Sequence, residues 1–215
     1  MTSPTIRFDH LVVACETLEG GVAWVRERIG VTVPTGGEHA RMATHNHVGR
    51  IGEDIFLEII AINPNDTPER TRWFALDDED VRVRLARDGA FLHHWVVNST
   101  DIAATCAAAE HDPGPPISMS RGTLHWQIAV RDDGVLARDG LIPTVIEWPS
   151  NITHPAGNMT DLDLRYVGLT LETSDPEGVA VDLAAMGADG MCTVVEAAKS
   201  GMHATFTRNG ETLTL

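Results

Sequence analysis

The sequence predicts an α+β fold in which two βαβββ modules pair and a third, partial module follows them. Three observations lead to this prediction. An apolar, strand-like stretch around His10 has a counterpart around His94. Apolar stretches with a single glutamate follow 48 and 53 residues later, at Glu58 and Glu147. A helix-like segment with apolar residues three or four positions apart follows the first stretch, and an Ala-rich helical segment follows the second. Recurrence at this spacing indicates a repeated supersecondary unit.

The first module is predicted at residues 1–65. Its elements are a strand at 6–14, a helix with Thr17 as N-cap and Gly30 just past its end, a short strand near 31–33, a polar strand at 42–48 and the glutamate strand at 55–62. Since side chains alternate along a strand, we expect His10 to share a face with Phe8 and Val12.

Residues 66–90 are charged and are predicted to be a linker, irregular or helical. The second module, residues 91–150, is predicted to contain a strand at 91–97, a helix at 102–110 capped by Ser99 or Thr100, a proline-rich loop at 113–116, and strands at 122–129 and 141–148.

Residues 151–163 form a second predicted linker, and residues 164–215 a third βαβββ-like module. Its predicted elements are a strand at 167–171, a helix from Asp175 to Met186, and strands at 193–196, 202–207 and 212–215. Its first strand lacks a histidine and its last lacks a glutamate, so this module keeps the scaffold without the site. Because a third copy has no partner module in the chain and leaves strand edges open, we expect a homodimer.

Composition narrows the class of protein. A formal net charge of −15 argues against binding to nucleic acid or to an anionic membrane surface. The N-terminal residues do not have a signal peptide's pattern, and no apolar run is long enough to span a membrane. The three cysteines are widely spaced without a CxxC pair, which is typical of buried thiols in a reducing cytoplasm.

Two histidines and two glutamates at matching places in two modules indicate a divalent-metal site. Imidazole nitrogens and carboxylate oxygens suit Zn, Mn, Fe, Co or Ni, and a buried carboxylate is costly without a cation or strong donors. For any one of these residues alone, a hydrogen-bonded core histidine or a solvated glutamate is the ordinary explanation. His93 competes with His94 for the second histidine position; alignment of the following valines favours His94, with His93 facing away.

Several polar residues are candidates for substrate binding. The polar strand offers Asn46, with His45 or His47 as alternatives, and His125 and Trp126 lie in the corresponding strand of the second module. Arg121 precedes that strand and suits a substrate carboxylate, which a guanidinium binds in a bidentate manner. A solvated strand face, a core tryptophan or a surface arginine explains these residues as well. His39 lies in a loop, where it would cover a site mouth or simply be exposed.

Seven segments resemble the glyoxalase-like branch of the vicinal oxygen chelate superfamily. They are Asp9-His10-Leu11-Val12-Val13, Gly36-Gly37-Glu38-His39, Thr44-His45-Asn46, Phe56-Leu57-Glu58, Arg72-Trp73-Phe74-Ala75-Leu76, Ser120-Arg121-Gly122 and Ile142-Pro143-Thr144-Val145-Ile146-Glu147-Trp148. The resemblance implies two half-barrels around a metal held by His10, Glu58, His94 and Glu147.

The resemblance also implies a small-molecule substrate, while the fold alone leaves the reaction open. The expected activity is that of a metal-dependent lyase or isomerase that forms an enediolate-type anion from a small oxygen-rich substrate. Glu147, or else Glu58, would move the proton. The alternatives are a metal-free ligand-binding protein related to bleomycin-resistance proteins, and an extradiol-type dioxygenase using His10, His94 and Glu147.

Overall fold

The computed structural model describes residues 4–215 of the chain and confirms the predicted α+β class. The helices are α1 Leu18–Ile29, α2 Glu79–Asp88, α3 Ile102–Ala108 and α4 Pro176–Ala185. The strands are β1 Ile6–Cys15, β2 Thr35–His39, β3 Thr44–Arg50, β4 Phe56–Ile62, β5 Ala90–Ser99, β6 Pro116–Arg121, β7 Leu124–Ala129, β8 Thr144–Glu147, β9 Arg165–Thr173, β10 Thr193–Glu196, β11 Gly201–Arg208 and β12 Glu211–Thr214. None of the helices in residues 4–215 is long and apolar enough to cross a membrane.

The first two modules share one eight-stranded sheet. Its strand order is β2-β3-β4-β1-β5-β8-β7-β6, so β1 and β5, the two histidine strands, pair antiparallel at its centre. The glutamate strands β4 and β8 flank this pair, each parallel to the first strand of its own module. The repeat in the sequence therefore correctly predicts that β1, β4, β5 and β8 occupy equivalent places in the two modules.

The sheet curls until its two ends meet. Arg41, just after β2, donates to the carbonyl oxygen of Ser118 in β6 at 3.0 Å, and Arg121 at the end of β6 donates to Asn46 Oδ1 in β3 at 3.2 Å. The concave face that results is lined by apolar side chains such as Val12, and it encloses the cavity described below.

The convex face of the sheet packs against α1 and the third module. Tyr166 stacks on Phe8 at 4.5 Å between ring centroids, and Leu171 and Phe206 belong to the same apolar cluster as Leu11 in β1. The third module therefore has a partner within the chain, and the expectation that it lacks one is wrong. A homodimer stays a prediction that rests on the end strands β10 and β12 alone.

The third module repeats the order of the elements but not the order of the strands. Its sheet runs β10-β9-β11-β12, so β9 pairs with the strand after its helix, whereas β1 pairs with the last strand of its module. Matching element order in the sequence cannot distinguish these two pairings.

Local predictions succeed where capping and periodicity are strong. Thr17 caps α1 by accepting from the backbone nitrogen of Gly20, and Gly30 ends it with φ of +70°. The cap of α3 is Asp101 rather than Ser99 or Thr100. The proline-rich loop is present at residues 113–115, but it ends one residue earlier than predicted, where β6 begins at Pro116. As the sheet's end strand, β6 tolerates this proline. The second strand lies at Thr35–His39, C-terminal to residues 31–33.

Candidate functional site

A β-bulge at Asp9 determines the orientation of the first histidine strand. Pairing with β5 shifts register between Phe8 and His10, so Asp9 is the extra residue and strict alternation fails there. Phe8 stacks on Trp95 and Tyr166 on the convex face, while His10 faces the cavity together with Val12. The expectation that Phe8 shares a face with His10 is therefore wrong.

Asp9 is fully buried and accepts hydrogen bonds from three donors. His10 Nδ1 lies 2.5 Å from Oδ1, while Trp148 Nε1 and His154 Nε2 lie 2.8 Å and 2.9 Å from Oδ2. Burial raises the pKa of Asp9, but the hydrogen bonds from His10 and His154 outweigh it and leave the pKa below 3.8. Asp9 therefore stays a carboxylate and accepts a hydrogen bond from the Nδ1–H group of His10.

The bond to Asp9 selects the tautomer of His10. With its proton on Nδ1, a neutral His10 presents the lone pair of Nε2 to the cavity. Glu58 Oε2 lies 3.6 Å from that Nε2, and both side chains are almost wholly buried. His10 thus stands between two carboxylates, one bonded directly and one across a short gap.

Glu58 is held in place from the other side by Asn46. The Asn46 Nδ2 donates to Glu58 Oε1 at 2.5 Å, and Asn46 Oδ1 accepts from Arg121 Nη1 and from the Gly37 backbone nitrogen at 3.0 Å. A methyl group at Gly36 would lie 2.2 Å from Asn46 Oδ1, so this approach of β2 to β3 requires a glycine.

The cavity has a volume of about 40 Å³ and a mixed lining. His10, Glu58, Asn46 and Arg121 supply its polar groups, and His39 lies at its wall. The remaining lining is apolar or aromatic: Val48, Phe56, Trp73, Phe74, Leu124, Trp126, Ile128, Ile146, Trp148, Pro155 and Met159. Burial, and then the nearby charge of Arg121, lowers the pKa of His39 to about 3, so this imidazole is neutral.

The structure places the predicted site residues in two groups. His10, Glu58, Asn46, Arg121 and Trp126 line the cavity. His125, Glu147 and His94 do not; His125 is exposed on the other face of β7, because its neighbours Leu124 and Trp126 point inward. His45 and His47 likewise flank the inward Asn46, and His47 Nδ1 bonds to the Val33 carbonyl oxygen at 2.7 Å.

Glu147 faces away from the predicted metal. Its neighbours Ile146 and Trp148 line the cavity, so alternation along β8 turns Glu147 to the convex side. There its Oε2 accepts from the backbone nitrogen of Ile102, at the first turn of α3, at 2.6 Å. Glu147, which the sequence suggests for catalysis, instead accepts a hydrogen bond from a backbone N–H group at the N-terminus of a helix.

His94 is on the concave side but has no free nitrogen. Its Nδ1 donates to the Gly140 carbonyl oxygen at 2.9 Å, and its Nε2 accepts from the Thr144 backbone nitrogen at 3.2 Å. Burial lowers its pKa to about 3, which keeps the ring neutral. His94 is a core histidine satisfied by hydrogen bonds.

The expectation that His93 faces away is wrong, because His93 lies at a second β-bulge. The pairing shifts between Leu92 and His94, and His93 Nε2 donates to the Phe74 carbonyl oxygen at 2.7 Å. Phe74 has φ of +56°, a conformation unfavourable for a bulky residue. His93 therefore stabilises the strained segment that carries Trp73 to the cavity wall.

Comparison with protein-family models identifies the chain. The model of the glyoxalase-like domain matches residues 8–187. The chain belongs to this family. The predicted membership of the vicinal oxygen chelate superfamily is thereby confirmed, and no curated protein matches the sequence.

Solved structures are similar to this glyoxalase-like protein at low sequence identity. A hypothetical protein from Staphylococcus aureus is 14% identical with a TM-score of 0.60, over 98% of this chain and 85% of that one. A methylmalonyl-CoA epimerase variant from Streptomyces coelicolor is 18% identical with a TM-score of 0.41, over 67% and 95%. The epimerase from Mycobacterium tuberculosis is 13% identical with a TM-score of 0.41, over 66% and 87%.

The donors in this glyoxalase-like protein do not fit the four-ligand metal site that the resemblance implies. His10 and Glu58 are together, whereas the nitrogens of His94 and the carboxylate of Glu147 have other partners. Within residues 4–215 there is no cluster of three or more His, Cys, Asp or Glu side chains arranged to hold a metal ion. The three-ligand set for a dioxygenase, His10, His94 and Glu147, is not assembled either.

Sequence reasoning missed Asp9, His154 and Trp148. Asp9 is adjacent to His10, but alternation places it on the opposite face, and a bulge is not visible in the residue pattern. His154 lies in a segment predicted to be a linker, and only the tertiary fold brings it to Asp9.

Proposed function

We propose that this glyoxalase-like protein is an isomerase or lyase that removes a proton from carbon in a small oxygen-rich organic acid. The observation that carries the proposal is the position of His10, with Nδ1 bonded to Asp9 and Nε2 3.6 Å from Glu58 in a largely apolar cavity.

His10 acts as the general base. Its Nε2 takes the proton from the carbon next to the substrate's carbonyl or carboxylate group, and the C–H electron pair moves into an enediolate-type anion. The imidazolium that forms is flanked by the carboxylates of Asp9 and Glu58, which stabilise it, and it returns its proton to a neighbouring atom. Positioned general-base catalysis contributes about 10²–10⁴-fold in rate.

Arg121 holds the substrate's acid group. None of the carboxylates in residues 4–215 forms an ion pair with Arg121, which donates a hydrogen bond to the neutral Asn46. In a chain with a formal net charge of −15, an arginine without a carboxylate partner beside a cavity favours an anionic ligand.

The proposed reaction has no step through a metal, because the four side chains His10, Glu58, His94 and Glu147 do not converge on one site. Divalent metals are common in the superfamily, so the assay is run with and without a chelator. Equal rates in both arms are the expected result, and a rate abolished by EDTA and restored by a divalent ion would contradict the metal-free mechanism.

Exchange of carbon-bound hydrogen for deuterium in D₂O, followed by proton NMR over a panel of 2-hydroxy and 2-oxo acids, tests the reaction class before any product is known. We expect exchange with at least one acid, lowered about 10²–10⁴-fold in His10→Gln. His203→Gln, on the exposed face of β11, is the matched control and keeps the wild-type rate. Tight binding of an acid without exchange would instead identify a binding protein, an alternative that the aromatic lining of the cavity favours.

A further inference from the structure

The cavity continues into a larger cleft. The cleft has a volume of about 540 Å³, against about 40 Å³ for the cavity. Five residues line both and form the boundary between them: Val48, Arg121, Leu124, Pro155 and Met159. A ligand whose reacting carbon is at His10 therefore has a direct path past Arg121 into the cleft.

The two spaces accept groups of different size. The inner cavity holds about three water-sized groups, since each needs about 10–15 Å³ of such volume. That suits a carboxylate and the carbon beside it. The outer cleft lies within the range of about 300–1,000 Å³ that is usual for small-molecule sites. A substrate consisting of the head alone would leave the cleft unused.

The cleft has a mixed lining, in which hydrogen-bonding groups alternate with apolar residues such as Ile152 and Met159. Among the described residues that line it, Arg121 is the one charged side chain. Hydroxyl and amide groups come from three separate parts of the chain: Thr35 in β2, Thr123 in the β6–β7 turn, and the stretch from Thr153 to Thr160. Such groups donate to and accept from hydroxyl groups and offer no partner to a second charge.

We infer that the substrate is a polyhydroxylated acid, with its carboxylate at Arg121, the adjacent carbon at His10, and an uncharged hydroxylated tail in the outer cleft. The inference rests on the proposed function for the position of the reacting carbon. The length and polarity of the tail follow from the cleft itself.

Binding of acids of different length tests this inference separately from the chemistry. Quenching of the cavity tryptophans, Trp73, Trp126 and Trp148, reports dissociation constants for lactate and for a panel of six-carbon aldonic acids. We expect the best six-carbon acid to bind at least tenfold more tightly than lactate. Because quenching reports binding whether or not the acid reacts, a tail effect without deuterium exchange would refute only the proposed reaction.

Variants locate the tail. Thr35→Phe and Thr160→Phe narrow the cleft, and each should reduce the ratio of the two affinities to less than about threefold. Thr193→Phe, at an exposed position of β10 in the other sheet, is the matched control and keeps the wild-type ratio. Equal affinities for the short and long acids in the wild-type protein, or a tail effect that survives both cleft variants, would overturn the inference.

Discussion

Replacing Asp9 with asparagine separates the stability of the site from its chemistry. The Asp9 carboxylate accepts from Trp148 and His154 on one oxygen and from His10 on the other. In Asp9→Asn the amide oxygen can keep Trp148 and His154, and the amide nitrogen then faces His10. Because that nitrogen is a donor, His10 must move its own proton from Nδ1 to Nε2 in order to accept.

The expected loss of stability is modest. A hydrogen bond to a charged group contributes about 1.5–3 kcal/mol and a neutral one about 0.5–1.5 kcal/mol. Replacing three hydrogen bonds to a charged group with three neutral ones therefore lowers the free energy of unfolding by about 3 kcal/mol in total. Removing a fully buried charge recovers part of this cost. We expect the free energy of unfolding, from urea titration at pH 7, to fall by about 1–3 kcal/mol.

The expected loss of activity is much larger. A proton on Nε2 removes the lone pair that serves as base, so deuterium exchange should fall about 10²–10⁴-fold in folded Asp9→Asn protein. The ¹⁵N shifts of the histidine rings report the tautomer directly. Asp132→Asn, whose side chain is 94% exposed, is the matched control. Asp9→Asn protein that keeps the Nδ1–H tautomer of His10 and the wild-type exchange rate would refute this account of the site.

Three further predictions concern buried histidines, metal and assembly. Burial lowers the pKa values of His39, His93 and His94 to about 3, 4 and 3, against about 6.5 in an unfolded chain. Below pH 6.5 the unfolded chain therefore binds more protons than the folded protein. The free energy of unfolding is highest above that pH and falls by about 2 kcal/mol per histidine at pH 5. Equal urea midpoints at pH 7 and pH 5 would show that these rings are not buried as neutral groups. Glu147→Gln should have the same divalent-metal content as wild-type protein by mass spectrometry, because this carboxylate lies on the convex face. A loss of metal in this variant would show that Glu147 is a metal ligand. A homodimer is expected in sedimentation at micromolar concentration, and a clean monomer would remove that prediction.

The sequence predicts the fold well because the fold depends on periodic and local signals. The histidine and glutamate strands recur at similar spacing, and Thr17 and Gly30 mark the ends of α1 by capping chemistry that is local to the chain. The strand order of the third module depends on which edges pair, and that choice depends on contacts distant in the sequence.

Of the four predicted ligands, only His10 and Glu58 line the cavity, because the direction of a side chain depends on strand register. Glu58 and Glu147 occupy equivalent strands, yet one side chain enters the cavity and the other points to α3. The bulges at Asp9 and His93 each change the direction of a neighbouring side chain, and bulges depend on the partner strand rather than on the residue pattern. Repetition of residue types predicted equivalent strands but not equivalent side-chain positions.

Comparison of Glu58→Gln with Glu147→Gln in the deuterium-exchange assay tests the central claim most directly. Glutamine at position 58 keeps the acceptor for Asn46 but removes the charge 3.6 Å from His10, so we expect the rate to fall about 10–100-fold, equivalent to about 1.4–2.7 kcal/mol. Glu147→Gln should keep the wild-type rate within about twofold. A large loss in Glu147→Gln with a wild-type rate in Glu58→Gln would contradict the assignment of the site.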